Sequence, residues 1–108
     1  MSRPRSLRIG AHKWRVLWSK SAVARHLHGQ DDAGGTCSVE FLEIAVVPLA
    51  NKNVERGVLL HEILHACVES SQPDIDYDTE ERFVASITAP LLDALRSNPS
   101  LTKYLLEP

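Results

Sequence analysis

The chain has 108 residues, 44% hydrophobic and 24% charged, with a net charge of −2; this suffices for one modest core and leaves no room for a second catalytic domain. No apolar run approaches the ~18 residues of a membrane span, and the opening MSRPRSLRIG lacks the apolar centre of a signal peptide. No membrane partner is expected, and one soluble, cytoplasmic domain over residues 1–108 is expected.

Residues 1–6 read as a flexible basic arm. They open a segment, residues 1–30, that holds seven cations (Arg3, Arg5, Arg8, Lys13, Arg15, Lys20 and Arg25) and no acid, a balance of +7 against −9 for residues 31–108. The plain expectation is a basic segment packed beside an acidic one. The sharper one is an anionic partner such as nucleic acid, for which neither aromatic interleaving nor a recognised motif speaks.

LRIGAHKWRVLWS alternates Trp14, Val16 and Trp18, the period of a strand with one buried face, with Gly10 marking a turn before it. SAVARHLHG fits a helical turn or a loop, and QDDAGG is a turn by composition. His26 and His28, two apart in that setting, read as surface residues, and His12 has no evident partner. CSVEFLEIAVVP reads as a second strand region ended by Pro48, apolar on both faces and so suited to the inside of a small sheet. Cys37 and Cys67 are too few for a disulfide framework and read as small buried hydrophobes.

A helix is expected from an N-cap at Asn51 or Asn53 to Ser70 or Ser71, stopped by Pro73. After the acidic loop PDIDYD a second helix starts at Asp78, with Glu81 completing a capping box. Its stripe of Val84, Ile87, Leu91 and Leu95 continues past Pro90, which predicts a kink there rather than an end. RSNPS breaks it, and LTKYLL predicts a short terminal helix.

The first helix carries HEILH. Residues four apart share a helix face, so His61 and His65 can direct their imidazoles at one ion. Two nitrogens at about 2.0–2.1 Å suit zinc, which in a catalytic site takes a third protein ligand and keeps a position open. Glu62 lies about 100° around the helix from His61, off the ligand side yet near enough to take a proton from a water that attacks a carbonyl polarised by zinc. The flanking Val58, Leu59, Leu60, Ile63 and Leu64 make the helix apolar nearly all round, as for a core helix, where two histidines and a glutamate without polar purpose would be costly. The bland alternative is a pair of core histidines satisfied by their neighbours.

No histidine follows His65, so the third ligand is a carboxylate: Glu69, an aspartate of PDIDYD, Glu80 or Glu81. Val84, Ile87, Leu91 and Leu95 fall within about 60° of Glu80 around the helix. Glu80 is therefore inward, where a carboxylate is expensive unless it binds a cation, and it is favoured over Glu81, which has the capping role. Asp74, Asp76 and Asp78 stay open as ligands, and Asp76 or Asp78 as groups orienting a ligand histidine. Tyr77 or an upstream histidine is a candidate for binding an oxyanion.

HEILH followed by a glutamate on the next helix resembles the gluzincin branch of the zincin metallopeptidases. Residues 36–98 are similar to the small metallopeptidase-like domains of bacteriophage and prophage genomes, and more distantly to the ImmA/IrrE type. The resemblance implies an α+β, minimal zincin-like fold, a small twisted sheet against the active-site helix and the glutamate helix. It implies zinc held by His61, His65 and Glu80, with Glu62 as general base. It also implies a strand at the cleft that pairs with an extended peptide substrate, and EFLEIAVVP is the candidate for its free edge. Zinc-dependent endopeptidase activity is the expected function. The alternative is a catalytically weak or inactive zinc-stabilised binding module, because larger enzymes of this class carry a further subdomain as the far wall of the cleft. The intact Glu62 favours the enzyme, since a purely structural zinc needs no base.

Overall fold

The computed structural model describes residues 2–27 and 34–108. It is α+β: a four-stranded sheet with four helices. β1 (Ser6–Ile9) and β2 (His12–Trp18) form a hairpin around Gly10, whose φ of 61° lies in the left-handed region that glycine tolerates. α1 (Lys20–His26) follows, its N-terminus capped by the Ser19 side chain, which accepts from the Ala22 amide. SAVARHLHG is thus largely helical, whereas His28 and the start of QDDAGG lie outside the described residues.

The single strand region expected from CSVEFLEIAVVP is two strands, β3 (Gly35–Ser38) and β4 (Glu43–Val46), joined by a tight turn in which Leu42 adopts φ 53°. Their order in the sheet is β1-β2-β4-β3, with β2 and β4 parallel and the other pairs antiparallel. β4 therefore lies inside the sheet, and all four of its residues are buried, as its apolar sequence requires. The expectation that EFLEIAVVP offers a free edge is overturned, because β2 and β3 occupy both of its edges. β1 and β3 are the edge strands.

Ile9, Trp14, Val16, Ile44 and Val46 form the core on one sheet face, where α2 (Lys52–Ser71) packs with Ala66, Val58, Leu59 and Ile63. Asn51 caps α2, accepting from the amides of Asn53 and Val54. On the other sheet face α1 buries Ala22 and Val23 against Ala45. α2 is not the wholly buried helix its composition suggests: Val58, Leu59, Leu60, Ile63 and Leu64 are only half-buried, and its four buried residues are Glu55, Glu62, His65 and Ala66. α3 (Tyr77–Ser97) runs through Pro90 and buries Glu80, Val84 and Thr88, and α4 (Pro99–Leu106) closes the described chain without burying any residue. No described helix is long and apolar enough to cross a membrane.

The N-terminal segment is held rather than loose. Arg3 makes two hydrogen bonds to the buried Glu55, at 2.9 and 3.0 Å, its guanidinium lies over the Trp18 ring, and the Trp18 indole donates to the Pro4 carbonyl.

Candidate metal centre

His61 and His65 sit one turn apart on α2, their ring centroids 4.9 Å from each other. Both Nε2 atoms point at one oxygen of α3: His61 Nε2 is 2.8 Å and His65 Nε2 2.9 Å from Glu81 Oε1. On its other side His65 directs Nδ1 at Glu80 Oε2, 2.5 Å away. With Nδ1 donating to Glu80, a neutral His65 has only a lone pair to turn towards Glu81. A neutral His61 can donate from Nε2 to that same oxygen, so both rings converge on a single carboxylate oxygen. Burial lowers the His65 pKa, but its bonds to Glu80 and Glu81 outweigh burial and leave it raised. Burial likewise raises the Glu81 carboxyl, and the bonds from His65 and His61 more than reverse that.

A divalent ion fits the same donors. His61, His65 and Glu81 offer one ligand atom each, all within 4.8 Å of one another, on two packed helices, with two nitrogens and one oxygen as zinc takes them. His65, Glu69 and Glu80 form a second such group behind the first, using Nδ1. The expectation that Glu80 is the third ligand meets a different geometry: Glu80 lies at His65 Nδ1, whereas Glu81 shares a point with both Nε2 atoms. Two physical facts separate them. α3 begins two residues earlier than its sequence suggests, because Asp76 rather than Asp78 caps it, accepting from the Thr79 amide. Glu81 is thereby released from any capping role. Glu80 does occupy the inward stripe, 2% exposed, but that stripe leads behind His65, while the Glu81 side chain, 38% exposed, reaches the open side. Glu80 holds His65 in one tautomer, the part given in sequence terms to Asp76 or Asp78. Asp74, Asp76 and Asp78 are exposed and stand outside both groups.

Glu62 is 7% exposed and accepts no hydrogen bond from a described residue. Burial pushes its carboxyl up to about 7; His65 opposes this and Glu81 adds to it. Glu69 is likewise raised to about 7, by burial and by the bond it shares with Glu80. A groove of about 1260 Å³ opens over these groups. It follows β3, with Glu62, His61 and His65 on one side and the end of α1, including His26, on the other. Tyr77 also lines it, its ring parallel to that of His65 at 5.9 Å.

The β3 backbone faces this groove in a defined way. The Val47 amide donates to the Gly34 carbonyl, so in the β3–β4 register Gly34, Thr36 and Ser38 use their peptide groups towards β4. Gly35 and Cys37 then present theirs to the open edge. Gly35 must be bare here: a Cβ would stand 2.8 Å from Val58 Cγ1 and 3.1 Å from both Glu62 Cγ and the Ala45 carbonyl oxygen. Nothing in the sequence around GGT signals this approach, because it depends on packing between distant elements.

His26 is not a surface residue. Its side chain is 10% exposed, with Nδ1 2.6 Å from Thr36 Oγ1 and Nε2 3.1 Å from Glu43 Oε1, and Glu43 is paired in turn with Arg15. His12 is exposed on β2. Cys37 is half-buried, and its thiol is raised by burial and by nearby carboxylates, Glu69 first; Cys67 is exposed, not buried as expected. No family model, curated protein or solved structure matches the chain.

Proposed function

We propose that this protein is a zinc-dependent metallopeptidase in which His61, His65 and Glu81 hold the ion, Glu80 orients His65 and Glu62 is the general base. The observation that carries the reading is the meeting of both imidazole Nε2 atoms at Glu81 Oε1 beside a buried glutamate without a hydrogen-bond donor. Zinc, when bound, supplies a Lewis acid that polarises a carbonyl and acidifies water. Glu62 accepts the proton of the attacking water, a task for which a carboxyl raised towards neutrality is suited. The open peptide groups of Gly35 and Cys37 offer an extended substrate backbone a strand to pair with along the groove, in the place the sequence assigned to EFLEIAVVP.

Metal content of the purified protein, read beside that of His61→Ala, tests the centre. About one zinc per chain, lost in the variant, is expected; no metal, with an unchanged fold after adding zinc, sinks the reading. Glu62→Gln then separates enzyme from zinc-stabilised binding module. It should keep zinc and fold while turnover of an unfolded protein substrate drops by roughly two to four powers of ten. Undiminished turnover would remove Glu62 from the mechanism, and absence of turnover in the parent protein would favour the module.

A further inference from the structure

Of the seven cations in residues 1–30, only Arg3 and Arg15 reach an acidic side chain among the described residues, Glu55 and Glu43. Arg5, Arg8, Lys13, Lys20 and Arg25 meet no carboxylate among the described residues. Their arrangement is set by the β1–β2 register, in which Arg8 faces Lys13 and Ser6 faces Arg15. The Val16 amide donates to the Arg5 carbonyl at 2.9 Å, which makes these the non-hydrogen-bonded pairs, where opposed side chains come closest. Leu7, Ile9, Trp14 and Val16 point to the core, so Arg8, Lys13 and Arg15 share the opposite, exposed face. Like charges placed directly across a ladder destabilise it. Folding gains nothing from the Arg8–Lys13 pair that Thr or Ser would not supply better.

The basic surface continues beyond the hairpin. Arg15 and Arg25 line one shallow cavity of about 1020 Å³ with Arg5 and Arg56, and its one acid, Glu55, is already taken by Arg3. None of the exposed large hydrophobic residues lies in residues 2–27. A bilayer surface or an acidic protein partner would need apolar anchors beside the charges. A phosphate backbone does not, because its binding is driven by release of condensed counterions. β1 and β3 are the two opposite edges of the sheet, so the hairpin face is remote from the metal centre, whereas Arg25 also lines the groove over it.

We propose that the exposed face of the β1–β2 hairpin, with Arg25 of α1 beside it, binds the phosphate backbone of a nucleic acid without reading its bases. About three phosphate contacts, through Arg8, Lys13 and Arg25, imply an affinity for duplex DNA that falls roughly twentyfold between about 50 and about 150 mM salt. Fluorescence anisotropy of the intact protein with labelled duplexes of two unrelated sequences measures this. The expected result is equal binding of both duplexes with that salt dependence, lost about tenfold or more when Arg8→Glu and Lys13→Glu are combined, or in Arg25→Glu. Combining Arg96→Glu and Lys103→Glu changes net charge equally on α3 and α4 and should leave binding within about twofold. Replacing Arg8 and Lys13 by Thr should weaken binding severalfold, less than the two Glu substitutions do, while melting temperature holds or rises, which guards against a folding defect. No binding at about 50 mM salt, equal loss in the hairpin and α3/α4 variants, or equal affinity for polyglutamate would each overturn the proposal. Zinc loading and turnover should be the same in the Arg8/Lys13 and Arg96/Lys103 variants, so the two functional readings fail separately.

Discussion

Glu55 and Glu62 lie seven residues apart on one face of α2, both buried, and they are held in opposite ways. Glu55 accepts two bonds from Arg3 and one from the Leu49 amide, and these hold its carboxyl down at about 2. Glu62 accepts none, and burial takes its carboxyl up to about 7. The histidines divide the same way: each nitrogen of His26 has its own partner, Thr36 or Glu43, whereas His61 and His65 turn both Nε2 atoms on one oxygen. Residue type is shared between the two regions. What distinguishes them is whether each lone pair and each charge is already matched, and only the unmatched region has binding capacity left over.

If that distinction is sound, zinc acts on one region alone. The metal-free protein should stay folded, since its two apolar clusters pack on the sheet independently of the site, and zinc at about a thousand times its dissociation constant should stabilise it by about 4 kcal/mol. Thermal melts with zinc and with a chelator check this; a chelated protein that unfolds would show that the fold itself depends on the metal. Within the centre, Glu81→Ala should weaken zinc binding by more than about a hundredfold. Glu80→Gln should weaken it by about ten- to a hundredfold, the range for a group that orients a ligand. Competition with a chromophoric chelator ranks the two, and the reverse order would return the ligand role to Glu80.

Gly35→Ala probes the border between the regions. The new methyl must displace Val58 or Glu62, so zinc content should be kept while turnover falls by up to about a hundredfold, as when a catalytic group is misplaced by about an ångström. Full activity in that variant would mean that Glu62 has room to move. His26→Ala should do the converse. It leaves Thr36 and Glu43 short of a buried partner, a loss of about 1–3 kcal/mol in urea unfolding, with zinc affinity unchanged. Lost zinc there would erase the contrast between the two histidine groups.

How much of this could be read in advance follows the range of the interactions. HEILH was legible because the spacing that joins His61 to His65 is local, and the α2 limits followed from Asn51 and Pro73 for the same reason. Glu80 was rightly placed on the inward stripe, but that stripe leads behind His65, to Nδ1, while both Nε2 atoms meet Glu81 on the open side. The cap at Asp76, two residues ahead of the capping-box reading, was the local signal that frees Glu81. Strand pairing is non-local, so β4 was legible as an interior strand, whereas β3 as the open edge was not. His26 was misjudged because α1 and its burial against the sheet depend on residues far along the chain.

The smallest effect tests the matched region by pH. An unfolded glutamate titrates near 4.3, and folded Glu55 near 2, so folding favours its ionised form. Its contribution to stability is complete above the unfolded value and is lost as pH falls through the folded one. Arg3→Ala removes the larger part of that preference. It also frees the segment that carries Pro4, whose carbonyl accepts from Trp18. The variant should therefore be less stable than the parent at neutral pH, and the part of the difference due to Glu55 should shrink between about pH 4.3 and pH 2, where both proteins come to carry a protonated Glu55. Urea midpoints measured at several pH values across that window read the closing gap. A gap that stays constant would assign Arg3 to packing over Trp18 rather than to charge, and Glu55 would then owe its low value to the Leu49 amide, leaving the contrast with Glu62 to rest on a single backbone donor.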